Sequence, residues 1–252
     1  MQDPTASPRS LWRRPLDTYQ GLAMRCAPGT HEAVMKLLRE SNICPGAVLD
    51  LASGSGALLA RLIDAGFGDV TAVELDRGKF GLPGVVPLAI DLNTDFAAKI
   101  ERRFGLVTAI EIIEHLDSPR HFLLQARELL TDDGVLLLST PNVAEWVGRI
   151  KFLLTGTLRN FDDLQYRHNH HVSPLPDVQL RNMAAEIGLR VIGFTTAGTF
   201  FGPLKMACLA PIWWPFRLLF GPKVLGDVNL YLLARATPQP SRAGDWSNTS
   251  VT

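Results

Sequence analysis

Residues 111–119 read EIIEHLDSP and set Glu111, Glu114 and His115 at the end of an apolar run, LVTAIEII, over 106–113. Carboxylates and an imidazole beside a hydrophobic core are costly unless something pairs with them. Two chemistries suit the set. His115 can serve as a base that takes the proton from an oxygen nucleophile. Alternatively, Glu111, Glu114 and His115 together offer two carboxylates and an imidazole from one loop, a donor set for Mg²⁺ or Mn²⁺. A second histidine would complete the set, and His168, His170 and His171 are three of the chain's six histidines. With Tyr166 and Arg167 they give the loop YRHNHHVSP the composition of a substrate lid. The structural alternatives are a capping histidine at 115 and a polar surface loop.

A second cluster lies upstream. VLDLASGSG puts Asp50, Gly54 and Gly56 at a strand-to-helix turn, where glycines let the backbone approach a ligand and the helix start offers free N–H donors. Glu74 ends the next strand, where a carboxylate can accept both hydroxyls of a ribose. Asp91 ends the one after, suited to an adenine amino group. A nucleoside ligand is expected. The dinucleotide fingerprint GxGxxG fails at Leu59, and Asp50 would sit badly beside a pyrophosphate. An acidic residue better suits the positively charged, phosphate-free end of S-adenosylmethionine.

The elements that must carry these residues alternate. A helix is expected over 29–41, then strands at 47–52, 70–75, 85–92, 106–113 and 135–142, with helices between. Ser118 caps the helix that Pro119 opens. Apolar strands alternating with amphipathic helices imply an α/β fold with a doubly wound, Rossmann-like parallel sheet. Past Asn142 the pattern loosens: residues 158–174 read as a loop, and a helix, a strand and a final strand, VNLYLLARA, follow. The 252 residues are 46% hydrophobic and 20% charged with zero formal net charge, which fits a globular chain and disfavours charge-driven nucleic-acid binding. Cys26, Cys44 and Cys208 are widely spaced and read as reduced thiols of a cytoplasmic protein.

These motifs resemble class I S-adenosylmethionine-dependent methyltransferases over roughly residues 45–195 plus the final strand. LDLASGSG, VELD, IDL, EIIEHL and LLTDDGVLLLSTPN occur in that family's order. The resemblance implies a seven-stranded sheet, mostly parallel with an antiparallel last strand. It implies Asp50, Ala52, Ser53, Gly54 and Gly56 around the methionine moiety, Glu74 with Leu75 on the ribose, Asp91 with Leu92 at the adenine, and Glu111 on the cofactor side. Ala52 departs from the family's frequent first glycine, and Gly105 from an acidic residue common before the fourth strand. ExxEH followed by a histidine-rich loop is similar to metal-dependent O-methyltransferases of the ubiquinone-pathway and small-RNA types. That likeness implies His171 as the further metal ligand or catalytic group beside Glu111, Glu114 and His115. ExxEH also resembles methyltransferases that use no metal.

The domain reading is an extension over 1–28, a methyltransferase domain over 29–236 with a lid at 143–180, and a disordered tail over 237–252. A hydrophobic insertion at 198–226 includes a block at 200–226 with Phe200, Phe201, Trp213, Trp214, Phe216 and Phe220, interrupted by prolines and too short in any run to span a bilayer. It reads either as a cover over the substrate cleft or as a peripheral membrane contact. Asn142 is expected to face the substrate. The leading expectation is a cytoplasmic enzyme, with peripheral membrane contact if that block binds lipid, that methylates an oxygen on a small or lipid-linked acceptor. N- or C-methyl transfer, a nucleotide-dependent oxidoreductase and a non-catalytic cofactor-binding protein are the alternatives.

Overall fold

Alternate residues of each central strand face opposite ways, and the helices divide accordingly. Leu49 and Leu51 pack with Phe122, Leu123, Leu180 and Ala184, whereas Val48 packs with Val34, Leu38, Leu59 and Leu62. The computed structural model describes residues 17–199 and 201–236. Most of the 1–28 extension, the 237–252 tail and Phe200 lie outside them.

A short antiparallel pair, β1 (Thr18–Tyr19) and β2 (Leu22–Ala23), precedes helix α1 (Thr30–Glu40). Then come β3 (Ala47–Leu51), α2 (Ala57–Asp64), β4 (Asp69–Val73), β5 (Phe104–Ala109), α3 (Pro119–Glu128) and β6 (Leu130–Pro141). The second half adds α4 (Trp146–Thr155), α5 (Asp163–Asn169), α6 (Asp177–Glu186), β7 (Leu189–Ala197), α7 (Pro203–Cys208), α8 (Ala210–Phe220) and β8 (Val228–Arg235). The main sheet has the order β4-β3-β5-β6-β8-β7. Pairing is parallel from β4 through β6, and β8 runs antiparallel to both β6 and β7. Helices α1 and α2 cover one face; α3 and α6 cover the other. The doubly wound α/β sheet with an antiparallel last strand is as the sequence predicts.

The strand count differs. Residues 85–92 pair with β4 through one bridge, Val73↔Leu88, held by Leu88 N–H on the Ala72 carbonyl (2.9 Å) and Glu74 N–H on the Leu88 carbonyl (3.0 Å). Pro87 has no N–H to give, and Asp91 turns the chain by accepting from Asn93 N–H at 2.9 Å. The main sheet therefore has six strands among the described residues, with this segment at its edge.

Two other expectations are corrected. The predicted loop at 158–174 contains α5, because Asp162 caps it by accepting from Gln165 N–H at 2.9 Å and Arg167 pairs with Asp163 one turn away. β5 stops at Ala109, short of the apolar run's end, because Ile113–His115 wind into a 3₁₀ turn. Ser118 caps α3 as expected, accepting from His121 N–H at 3.3 Å, with Pro119 in the first turn. The carboxyl ends of β3, β4, β5 and β6 bring 52–56, Glu74, 110–115 and Asn142 to one rim, where open α/β sheets bind ligands.

Candidate functional site

The turn after β3 is built of left-handed residues: Ala52 at φ 60°, Gly54 at φ 56° and Gly56 at φ 86°. Ala52 holds a conformation that glycine adopts without steric cost, a strain of the kind that collects at ligand sites. A Cβ on Gly56 would stand 2.7 Å from Leu82 Cβ, so glycine is needed there for space as well as for φ. Ser53 Oγ donates to the Asp50 carbonyl at 2.8 Å, and Gly54 N–H donates to Glu74 Oε2 at 2.8 Å. Glu74 also accepts from Asp76 N–H at 3.0 Å, so one carboxylate ties the β3 turn to the end of β4. A carboxylate has about four acceptor sites, which leaves capacity for a ribose. Leu75 is exposed beside it, and Asp91 is exposed next to the buried Leu92.

Asp50 is buried and accepts from Thr108 Oγ1 at 2.6 Å. Burial pushes its carboxyl up to about 7, against the Thr108 hydrogen bond. It lines a small cavity of about 60 Å³ with Arg25, Cys26, His31, Ser53, Gly54 and Ile110 among its walls. Four of these wall residues, Arg25, Cys26, His31 and Ile110, are absent from the sequence-based site. His31 Nδ1 is buried with no hydrogen-bond partner, and burial lowers the imidazole to about 4, so the ring is neutral. Its signal was available: His31 sits on the Val34–Leu38 stripe of α1, a polar residue on an apolar face. Burial pushes the Cys26 thiol up to about 12, which disfavours its thiolate. A wider, open concavity of about 510 Å³, lined by Asn93, Thr94, Asp95, Asp117, Ser118 and His121, borders the Asp91 turn. It contains no orphaned polar group and no glycine turn, so the small cavity is the better candidate for the methionine end.

The ExxEH turn carries the second half of the site. Glu111 is itself left-handed, at φ 53°. Its N–H donates to Ser139 Oγ at 2.9 Å, and that hydroxyl leans back on Glu111 Oε1 at 3.4 Å. Burial raises the Glu111 carboxyl to about 7. Glu114 is fully buried, and neither carboxylate oxygen has a hydrogen-bond partner. Burial first, and the neighbouring Glu111 charge second, hold this carboxyl well above the usual range. Thr140 Oγ1, buried too, also lacks a partner.

The loop after α5 is bolted to this turn. Val172 and Ser173 N–H both donate to the Glu114 carbonyl at 3.0 Å, and Ser173 Oγ donates to the Leu116 carbonyl at 2.8 Å. His171 therefore meets His115, ring centroids 4.8 Å apart and nearly perpendicular. His171 Nδ1 lies 2.7 Å from the Asn160 carbonyl, which can only accept, so the proton is on Nδ1 and Nε2 is left as the acceptor. Burial lowers both imidazoles, and His171 lowers His115 further. Ligand atoms of Glu114, His115 and His171 all lie within 4.8 Å of one another. Glu111 is outside that group, its carboxylate turned to Ser139. An orphaned carboxylate, two neutral imidazoles and a carbonyl fixing one ring are a donor set that fits a divalent cation.

The other predicted residues are engaged within the fold or lie on its surface. Asn142 is buried, and its Nδ2 donates to the Lys223 and Gly226 carbonyls at 2.9 and 2.8 Å, so its amide is tied to the backbone. Arg159 bridges the buried Glu145 (2.8 Å) and Asp227 (2.9 Å), fastening the segment before α5 to the ends of β6 and β8. His168 is exposed and bonds the Leu164 carbonyl, His170 ends α5 exposed, and Tyr166 and Arg167 lie on its outer surface. Of the three histidines, only His171 reaches the site.

A model of the methyltransferase domain family matches residues 24–193, so the chain belongs to that family. A ubiquinone biosynthesis O-methyltransferase of Rickettsia typhi is 24% identical over 101 residues, 38% of this chain. That match spans 41% of the relative's length. Among solved structures, an S-adenosylmethionine-dependent methyltransferase of Archaeoglobus fulgidus gives a TM-score of 0.54 at 15% identity, covering 82% of this chain and 95% of that one. Magnesium protoporphyrin IX methyltransferase of Synechocystis PCC 6803, with bound S-adenosylhomocysteine, gives 0.55 at 13% identity, covering 82% of each. At such identities the structures speak for the fold. Family and fold agree: the chain carries a methyltransferase domain on a Rossmann-like α/β sheet.

Proposed function

We propose, from membership of the methyltransferase domain family and the chemistry of its rim, that this protein moves the methyl group of S-adenosylmethionine to a hydroxyl oxygen. The acceptor is a small or lipid-linked molecule such as a sugar or a quinone precursor. One observation carries the reading: the neutral His115–His171 pair stands beside the orphaned Glu114 carboxyl at the end of β5. The sulfonium methyl is already activated, so the enzyme must chiefly align the nucleophile. A hydroxyl must also lose its proton, whereas a neutral amine attacks through its own lone pair. An amine acceptor would leave this set without a task.

In this reading Asp50 faces the positive methionine end, with the backbone of Ala52, Ser53, Gly54 and Gly56 around it. Arg25 and the neutral His31 supply donors for the methionine carboxylate. Glu74 takes the ribose, with Leu75, Asp91 and Leu92 along the nucleoside. Glu111, braced by Ser139, fixes the backbone from which Glu114 and His115 project. Nε2 of His171, or His115, accepts the acceptor's proton. Where a metal takes the place of that base chemistry, Glu114, His115 and His171 would hold Mn²⁺ or Mg²⁺ through those same atoms; the ion would supply Lewis-acid polarisation of the hydroxyl, whose proton would then pass to solvent.

The test is product analysis with methyl-labelled S-adenosylmethionine against phenolic, sugar and amine acceptors, with and without chelator. Label in O-methyl products supports the reading. Label confined to N- or C-methyl products overturns it, and full O-methyl activity under excess chelator removes the metal.

A further inference from the structure

α8 is apolar around its whole circumference, yet none of its residues is buried. A helix of that composition normally lies in an interior. Here Ile212, Trp214 and Phe220 are exposed, and Leu218 and Leu219 are 70% and 76% exposed. α4 repeats the pattern in its second half, where Phe152, Leu153 and Leu154 are exposed, Leu153 by 84%. The two helices meet where the Arg149 guanidinium lies 4.0 Å over the Phe220 ring. Phe152 and Leu153, three and four residues beyond Arg149, rise from the same side of α4. The exposed apolar residues of the two helices therefore adjoin at that contact.

The charge on this face has one sign. α4, α7 and α8 contain no acidic residue; their cations are Arg149, Lys151, Lys205 and Arg217. Lys151 is paired with Asp162 at 2.6 Å and Lys205 has a partner of its own, so neither is counted. Lys223 follows in the turn after α8. No described helix is long and apolar enough to cross a membrane. Leucines and aromatic rings edged by cations, on helices too short to span, have the make-up of an interfacial element.

We propose that the α4–α8 face docks on a bilayer rich in anionic lipid. Leu153, Leu154, Trp214, Leu218 and Leu219 enter the interfacial layer, and Arg217 and Lys223 meet lipid phosphates. The commitment to anionic lipid rests on charge complementarity, since helices whose charged side chains are all cations are matched by a negative surface. α4 leaves the rim just past Asn142, which also holds the Lys223 and Gly226 backbone, so the face borders the candidate site. Delivery of a lipid-linked acceptor from the bilayer rests on the O-methylation reading; the docking itself does not.

Flotation of the full chain with vesicles of phosphatidylcholine alone, or with added phosphatidylglycerol, is the experiment. Binding to the phosphatidylglycerol vesicles is expected, weakening with salt. Leu218→Glu/Leu219→Glu should cut partitioning at least about tenfold, and Arg217→Ala about fivefold, with unchanged melting temperature and S-adenosylmethionine affinity. Leu153→Glu, on the other helix, should act in the same direction. Protein that stays in solution with every vesicle, or floats equally with uncharged ones, overturns the proposal. So does a wild-type dimer that stays off vesicles and that the leucine variants convert to monomer. Flotation with no O-methyl product would leave docking standing and remove only the acceptor reading.

Discussion

The imidazoles of His115 and His171 stand edge to face at 4.8 Å, although one belongs to the turn after β5 and the other to the loop after α5. Two rings that close cannot both be charged without repulsion, and burial already favours their neutral forms. His115→Ala and His171→Ala are each expected to lower turnover about 10²–10⁴-fold, the range of general-base loss. S-adenosylmethionine affinity should stay within about twofold. Steady-state kinetics beside calorimetry checks this; a variant with near-normal turnover removes its histidine from the reaction.

Glu114 should trade stability for function. Its carboxyl is buried without a hydrogen bond, so the unliganded protein bears the cost of that group. Glu114→Leu, which removes the polar group at similar volume, is expected to raise the melting temperature by about 2–6 °C, corresponding to about 1–2 kcal/mol for a chain of this size. The same change should abolish turnover and any thermal shift produced by Mn²⁺. Melting curves with and without Mn²⁺ read both effects. A variant less stable than wild type would mean that Glu114 has a partner in solution.

Asp50 and His31 link the cofactor cavity to pH with opposite signs. The Asp50 carboxyl is raised from 3.8 to about 7, so the folded protein retains a proton that the unfolded chain has released, and unliganded stability falls as pH rises through that window. His31 is lowered from 6.5 to about 4; its contribution is full above 6.5 and lost as pH falls toward 4. A positively charged ligand end favours ionised Asp50. S-adenosylmethionine affinity should therefore rise up to about tenfold between pH 6 and 8, with release of a proton. Asp50→Asn should flatten that slope. Calorimetry in buffers of differing ionisation enthalpy measures it directly.

Gly56 tests the packing of the turn. Its φ of 86° and the 2.7 Å approach of a built Cβ to Leu82 make alanine doubly unfavourable. Gly56→Ala should cost about 2–4 kcal/mol and weaken S-adenosylmethionine binding. Gly54→Ala, at φ 56° in open space, should cost less, about 1–2 kcal/mol. Equal losses in the two variants would argue against the Leu82 contact.

What was legible in the sequence follows the range of the forces involved. The alternation of β3, β5 and β6 and the Ser118–Pro119 start of α3 are local, and they matched. The edge segment at 85–92 failed because one proline and one aspartate turn outweigh an apolar composition. His171 was marked by a family likeness, whereas its position beside His115 depends on three hydrogen bonds from the loop at 172–173 that no local pattern encodes. Asn142 looked like a substrate contact because it ends a strand on the rim; its actual partners lie far along the chain at Lys223 and Gly226. Arg25 and His31 escaped notice because the segment that carries them reaches the cavity from before the first motif.

The excursion that carries α7 and α8 begins and ends at one rung of the sheet, Ala197↔Val228. Its span is thus closed by the β7–β8 ladder rather than by its own folding, and closure entropy grows only slowly with the length inserted. Changes in its length or surface therefore leave the rungs of β3, β4 and β5 untouched, so long as the Lys223 and Gly226 carbonyls keep their hold on Asn142.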